Sequence, residues 1–286
     1  MDSLDRLPVT TVTLYVIVVI VAVVSGLVLA PLVWNAAPTL GDDEEPTVAV
    51  VTLRGGTSFE NVNAVARDLR QARSNSSIEA VVLRINSPGG PVSPSEKLYL
   101  AVNQTASEMP VVAYVEGTAA SGGYFGIAPA DEIIVKPSST VGSIGVVVQA
   151  PLSAVEQVEA ARERFVRSGP DKAQITKDGL RNRLETLQGT FVSTIMKHRG
   201  DELTLSREQV AHGDTYLGAA AVENGFADRI GDQELAIQRA AALSEDIEGD
   251  QYDVAYVSQD APSVQLTFAD SEVASVDGNI VYVERG

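Results

Sequence analysis

PVVAYVEGTAASGGYF, Pro110 to Phe125, is the stretch whose reading decides this chain. Its apolar run of strand length, Val111 to Val115, stops at Gly117, and small residues lead into Ser121, Gly122 and Gly123. The physical reading is a strand that ends in a tight turn, with a hydroxyl held at the mouth of the next helix. Small neighbours let a substrate carbonyl approach such a turn closely, which is how a serine nucleophile is presented. The first N–H groups of the following helix are then free to meet a developing oxyanion. Ser-Gly-Gly after a strand is also an ordinary turn, so the reading depends on its surroundings.

The next strand upstream ends in the same way. Ala80 to Ile85 runs into Asn86-Ser87-Pro88-Gly89-Gly90, where Pro88 fixes one backbone angle and two glycines open conformations closed to other residues. Around these two turns, strand and helix alternate. Thr47 to Leu53 reads as a buried strand. Thr57 and Glu60 have capping-box spacing ahead of the apolar face Val62, Val65, Ala66 and Leu69; Ser93 and Glu96 repeat that spacing before Leu98, Ala101 and Val102. Glu132 to Val135 and Gly145 to Val148 read as further strands. Leu180, Leu184, Leu187, Phe191 and Ile195 then mark a long amphipathic helix. Strands separated by helices imply crossovers and a largely parallel sheet, an α/β fold. Parallel strands bring both glycine turns to one sheet edge, where sites of such sheets gather.

Composition narrows the chemistry. The 286 residues carry a formal net charge of −17, which argues against nucleic acid and anionic membrane surfaces as partners. No cysteine is present, so disulfides, thiolate catalysis and Cys-ligated zinc are excluded. Two histidines leave little for a His-based metal site, and no metal is expected. His198 ends the long helix beside Lys197 and Arg199, and His212 precedes a turn; both read as surface residues. The acidic, lysine-poor balance is one that a high-salt habitat favours.

A serine nucleophile needs a base. With the histidines poorly placed, a lysine is the candidate, and it must be buried enough to lose its proton. The five lysines are Lys97, Lys136, Lys172, Lys177 and Lys197. Lys172 alone lies in a turn-type motif, Ser168-Gly169-Pro170-Asp171-Lys172, while Lys136 and Lys177 stay in contention on chemistry.

The N-terminal end is of another kind. Val12 to Val33 is 22 residues without a charge. As a helix it is ~33 Å long, enough to cross a bilayer's hydrocarbon core. A cleaved signal peptide fits less well, because the run is long and Pro31 directly follows the small-residue site Val28-Leu29-Ala30. Arg6 on one side and the Asp42-Asp43-Glu44-Glu45 run on the other favour a cytoplasmic N-terminus. The expected organisation is a cytoplasmic N-terminus (1–11), a transmembrane helix (12–33), a linker (34–46), a catalytic domain (47–248) and a C-terminal tail (249–286) left unassigned between covering a neighbour, extending the sheet and staying mobile.

Taken together, Asn86-Ser87-Pro88-Gly89-Gly90, Ala120-Ser121-Gly122-Gly123-Tyr124, Thr140-Val141-Gly142-Ser143-Ile144-Gly145 and Ser168-Gly169-Pro170-Asp171-Lys172, in that order, resemble the signal peptide peptidase A, or protease IV, family. Tyr216 to Gly231 resembles that family's closing region. Several of these motifs are shared with the wider Clp protease and crotonase superfamily; the lysine motif picks out this branch. The resemblance implies a Clp/crotonase-like α/β fold behind a membrane anchor, and a serine endopeptidase with a Ser–Lys dyad. By position, Ser121 is implied as nucleophile, Lys172 as general base and Ser143 as the hydroxyl orienting the lysine. Gly90 and Gly122 are implied as the oxyanion-hole donors, with Gly89 and Gly123 beside the substrate. It further implies peptide substrates such as remnant signal peptides, an extracytoplasmic catalytic domain, a homo-oligomer and no cofactor. A crotonase-type acyl-CoA enzyme and an inactive membrane scaffold are the alternatives.

Overall fold

The computed structural model describes residues 45–148, 152–160, 176–257 and 280–283. The expected transmembrane segment 12–33 and the Ser168–Lys172 motif lie outside them. Among the described residues, no helix is long and apolar enough to cross a membrane.

The central sheet begins with β1 (Thr47–Arg54), β2 (Ile78–Ser87) and β3 (Val111–Ala120), each parallel to the last. On the far side of β1 lie β8 (Asp253–Val257), parallel to it, and β9 (Ile280–Val283), antiparallel to β8. The tail therefore extends the sheet, one of the three outcomes left open by its sequence. The helices are α1 (Phe59–Ser74), α2 (Val92–Ala106), α3 (Gly122–Ile127), α4 (Leu152–Ala160), α5 (Lys177–Arg199), α6 (Arg207–Ala211), α7 (Gly218–Glu223) and α8 (Gln233–Leu243).

Both faces of the sheet are covered, which is why its strands read as continuous apolar runs. Ala49, Val51 and Leu53 of β1 join one core with Val62, Val65 and Leu69 of α1 and Leu98 and Val102 of α2. Val48 and Val50, pointing the other way, join a second core with Ala236, Ile237 and Ala240 of α8. Burying each such Val or Leu contributes roughly 1.5–3 kcal/mol.

β3 does not stop at Gly117 but continues to Ala120, because it pairs with two strands in succession. Val112 to Val115 pairs with β4 (Glu132–Val135), and Thr118 to Ala120 pairs with β5 (Thr140–Gly142). On its other side the register with β2 shifts between Ile85 and Ser87. The Asn86 side chain fills the slip, with its Oδ1 accepting the Thr118 N–H at 3.1 Å. A Cβ at Gly117 would sit 2.8 Å from that oxygen, so the glycine makes room for Asn86 and does not break the strand.

Three local expectations are corrected. Neither capping box forms: Ser58, not Thr57, caps α1 by accepting the Asn61 N–H, and α2 starts behind Pro91 with no side-chain cap. Thr57 is instead spent on a buried hydroxyl contact with Ser95. Gly145 to Val148 is not a strand; the pairing segment is Thr140–Gly142, and β6 (Thr215–Leu217) adds to it antiparallel, while β7 (Arg229–Ile230) pairs parallel with β4. The long helix is present, but only Phe191, Val192, Ile195 and Arg199 of α5 are buried, while Leu180, Leu184 and Leu187 are half-buried.

Candidate active site

Ser121 is the single residue between β3 and α3. Its φ of 51° and ψ of −125° lie in a region that side chains other than glycine rarely adopt. Its N–H donates to Gly142 O at 2.8 Å and its carbonyl accepts the Phe125 N–H at 2.9 Å, so the backbone is fixed at both ends. The side chain makes no capping bond to α3, which leaves the hydroxyl available. A strand–turn–helix arrangement of this kind is one that can present a nucleophile.

The Gly89-Gly90 turn packs directly against it. Gly89 has a φ of +94°, and a Cβ there would lie 2.7 Å from Gly122 N, 2.8 Å from Ala120 O and 2.9 Å from Ser121 Cβ. Only glycine permits that approach. Gly122 has the same need from behind, since its Cβ position is 2.0 Å from Ser95 Oγ. Gly123 lies over the end of β2, with its Cβ position 2.8 Å from Ser87 O, and Ser87 Oγ accepts the Gly89 N–H at 3.2 Å. Ser143 follows β5 as Ser121 follows β3, one residue past the paired Ala120 and Gly142. It too has a positive φ, 57°, and its N–H donates to Asp214 O at 2.8 Å. The structure thus brings Ser121, Ser143 and the four glycines to one end of neighbouring strands.

Ser121, Gly90 and Gly122 open on a cavity of about 150 Å³. Its walls are mainly apolar: Val92 of α2, Phe125 of α3, Val146 and Val147 beyond β5, and Leu187 and Phe191 of α5. An apolar cavity of this size takes a benzene-sized group. Phe125 stacks edge-to-face on Phe191 with centroids 4.8 Å apart, and Tyr99 lies 5.0 Å from Phe125 on the other side. Tyr99 in turn shares a 3.0 Å hydrogen bond with His198 Nε2. His198 is therefore half-buried behind the pocket wall and is not the surface residue its sequence suggests, whereas His212 is exposed. Burial first, and the Lys197 charge second, hold the His198 pKa below its ordinary value.

Neither histidine lines the cavity. Of the competing lysines, Lys177 forms a 2.7 Å surface ion pair with Glu156, and Lys136 follows β4 outside the cavity lining. Lys172 lies five positions before the start of α5, whose later residues Leu187, Thr190 and Phe191 wall the cavity. Among the described residues, no group of three or more acidic or histidine side chains is arranged to hold a metal ion.

One supporting network escaped the sequence. Arg199, 2 % exposed at the end of α5, binds both oxygens of Asp228 at 2.8 and 3.1 Å and Gly225 O at 3.1 Å. Asp228 Oδ2 also accepts the Ile133 N–H, and the buried Tyr124 hydroxyl donates to Phe226 O at 2.8 Å. Burial opposes the charge on Arg199, but the Asp228 carboxylate outweighs it and leaves the pKa above the ordinary guanidinium value. Burial likewise raises the Tyr124 pKa far above that of a free phenol. No local pattern marks the pair: Arg199 is flanked by Lys197, His198, Gly200 and Asp201.

A mostly parallel sheet with crossover helices and a strained serine between strand and helix, faced by a glycine turn, defines an α/β protein of the Clp type. A family model described as Clp protease matches residues 47–155, and one described as Peptidase family S49 matches residues 103–246. The chain belongs to peptidase family S49, the serine peptidase family of signal peptide peptidase A and protease IV. It is 32% identical over 186 residues to a protein of Methanocaldococcus jannaschii provisionally named a protease, covering 62% of this chain and 60% of that one. It is 30% identical over 229 residues to Protease 4 of Salmonella typhi, covering 75% of this chain and 35% of that one. The chain thus spans less than two thirds of the length of either relative. In fold it is similar to a membrane-bound stomatin-specific protease, 1510-N, with a TM-score of 0.53 and 13% identity over 75% of this chain and 98% of that one.

Proposed function

We propose that this chain is a membrane-anchored serine endopeptidase that cuts peptides at or near the membrane with a Ser–Lys dyad. The observation that carries the reading is the strained, uncapped Ser121 pressed against Gly89 at the mouth of an apolar cavity. Ser121 Oγ attacks the scissile carbonyl carbon. Lys172, uncharged, takes the hydroxyl proton and returns it to the departing amine, and water then cleaves the acyl-enzyme. Ser143 orients the lysine amine. The N–H groups of Gly90 and Gly122 meet the oxyanion, each donor worth about 3 kcal/mol in the transition state. Gly89 and Gly123 border the bound peptide, and the cavity takes an apolar side chain next to the cut.

The segment 12–33 anchors the protein, with the N-terminus in the cytoplasm, the linker 34–46 outside and the peptidase domain 47–248 beyond it. Membership of family S49 supports signal-peptide remnants as substrates and a homo-oligomer as the working form. The test is a fluorophosphonate probe on the purified full chain. Labelling is expected at Ser121, absent in Ser121→Ala and strongly slowed in Lys172→Ala. A wild-type protein that is never labelled refutes the peptidase reading and leaves the acyl-CoA enzyme or the scaffold.

A further inference from the structure

The loop between β1 and α1, Gly55-Gly56-Thr57-Ser58, is assigned nothing by the chemistry above, yet Thr57 is fully buried between both glycine turns. Its N–H donates to Gly89 O at 2.9 Å. That oxygen belongs to the peptide unit joining Gly89 to Gly90. The unit is planar and trans, so its carbonyl and its N–H point in opposite directions. Holding the oxygen therefore fixes the line along which the Gly90 N–H points.

The side chain acts on both donors at once. Thr57 Oγ1 lies 2.7 Å from the Cβ position of Gly90 and 3.1 Å from that of Gly122. It is 2.8 Å from Ser95 Oγ, which donates to Pro91 O at 2.8 Å. Ser95 has one hydrogen and gives it to Pro91, so Thr57 donates to Ser95. Ser95 Oγ, 2.0 Å from the Cβ position of Gly122, completes a floor beneath the two glycines. Both hydroxyl residues are buried, at 0 % and 3 % exposure, and no solvent competes for their hydrogen bonds.

We infer that Thr57 and Ser95 are positioning residues of the oxyanion hole: this buried hydroxyl pair, with the Thr57 N–H, sets the aim and separation of the Gly90 and Gly122 donors. The inference rests on the peptidase reading above. Thr57 does not line the cavity; Ser95 borders it but is only 3 % exposed, with its hydroxyl bonded to Pro91 O and Thr57. A donor shifted by a few tenths of an ångström loses part of its hold on the oxyanion while leaving substrate binding alone.

The experiment compares Thr57→Val, Thr57→Ser and Ser95→Ala with wild type in the full chain. It measures kcat and KM on a fluorogenic peptide, affinity for a peptide boronate, which forms a tetrahedral adduct on the serine, and the melting temperature. Thr57→Val, which keeps the shape and removes the hydroxyl, is expected to lower kcat about tenfold, a fraction of the loss caused by deleting a donor. KM should stay unchanged, boronate affinity should fall by the same factor, and Thr57→Ser should restore both. Ser95→Ala, which removes the acceptor, should reproduce the loss and stands in if Thr57→Val fails to fold. Unchanged kcat in both Thr57→Val and Ser95→Ala overturns the inference, as does a loss appearing in KM or tracking the melting temperature alone. A wild-type chain that neither cleaves peptide nor binds the boronate at Ser121 removes the peptidase reading and this inference together.

Discussion

The backbone of Ser121 makes a prediction about stability that no contact count would suggest. At φ 51° and ψ −125° its Cβ is crowded against its own peptide groups, and the conformation persists only because Gly142 O and the Phe125 N–H hold the backbone on both sides. Strain of this kind costs about 1–3 kcal/mol. Replacing Ser121 by Gly removes the Cβ and with it that cost, against about 0.5–1 kcal/mol for the extra freedom of glycine in the unfolded chain. Ser121→Ala keeps the Cβ and hence the strain. Both variants lack the hydroxyl that the proposed mechanism uses, so their difference isolates the backbone. Ser121→Gly should be the more stable by about 1 kcal/mol, a rise of about 2–4 °C in melting temperature for a domain of this size. Calorimetry on the two purified variants makes the comparison. A glycine variant that melts at or below the alanine variant would refute the account of the site as strained.

Three other outcomes follow from the same geometry. Gly122→Ala drives a methyl into Ser95 Oγ, 2.0 Å from the Cβ position, and should lower peptide cleavage more than a hundredfold, about the loss of one oxyanion donor; Ser95→Gly in the same chain should recover part of it. Asp228→Ala strands the buried Arg199 charge and should cost about 3 kcal/mol, read as a lowered urea midpoint. His198 is harder to protonate folded than unfolded, so the unfolded state gains protons first as pH falls through the ordinary value of 6.5. Stability should accordingly drop from pH 7 to pH 5 more steeply in wild type than in His198→Gln, measured by urea unfolding at each pH.

The alternation of strand and helix, both glycine turns and the buried run of β1 were legible in the sequence because each rests on local periodicity or on residues with few conformations. The errors share another cause. Gly117 read as a strand end because its reason for being there, the Asn86 side chain, is 31 positions away in the chain. Thr57 read as a helix cap because cap spacing is local, while its true partner Ser95 comes from the next helix. β5 was missed by a few residues because a three-residue strand in Gly and Ser carries no period, and its place is set by the end of β3. The Arg199–Asp228 pair carried no local signal either. What the sequence left unread is in each case a contact made between elements.

The fork of β3 explains why the serine stands where it does. A strand whose first half pairs with β4 and whose last three residues pair with β5 runs on from Val115 to Ala120 beyond the β4 pairing, so its end is held on one side by β5 and on the other only by the slipped end of β2. Beyond the slip Ser87 pairs with Ala119, and two residues further on Gly89 packs against Ser121. The register shift, the Asn86 side chain that fills it and the glycine that makes room for Asn86 thus belong to the strand ends that carry the candidate site, although neither Asn86 nor Gly117 lines the cavity.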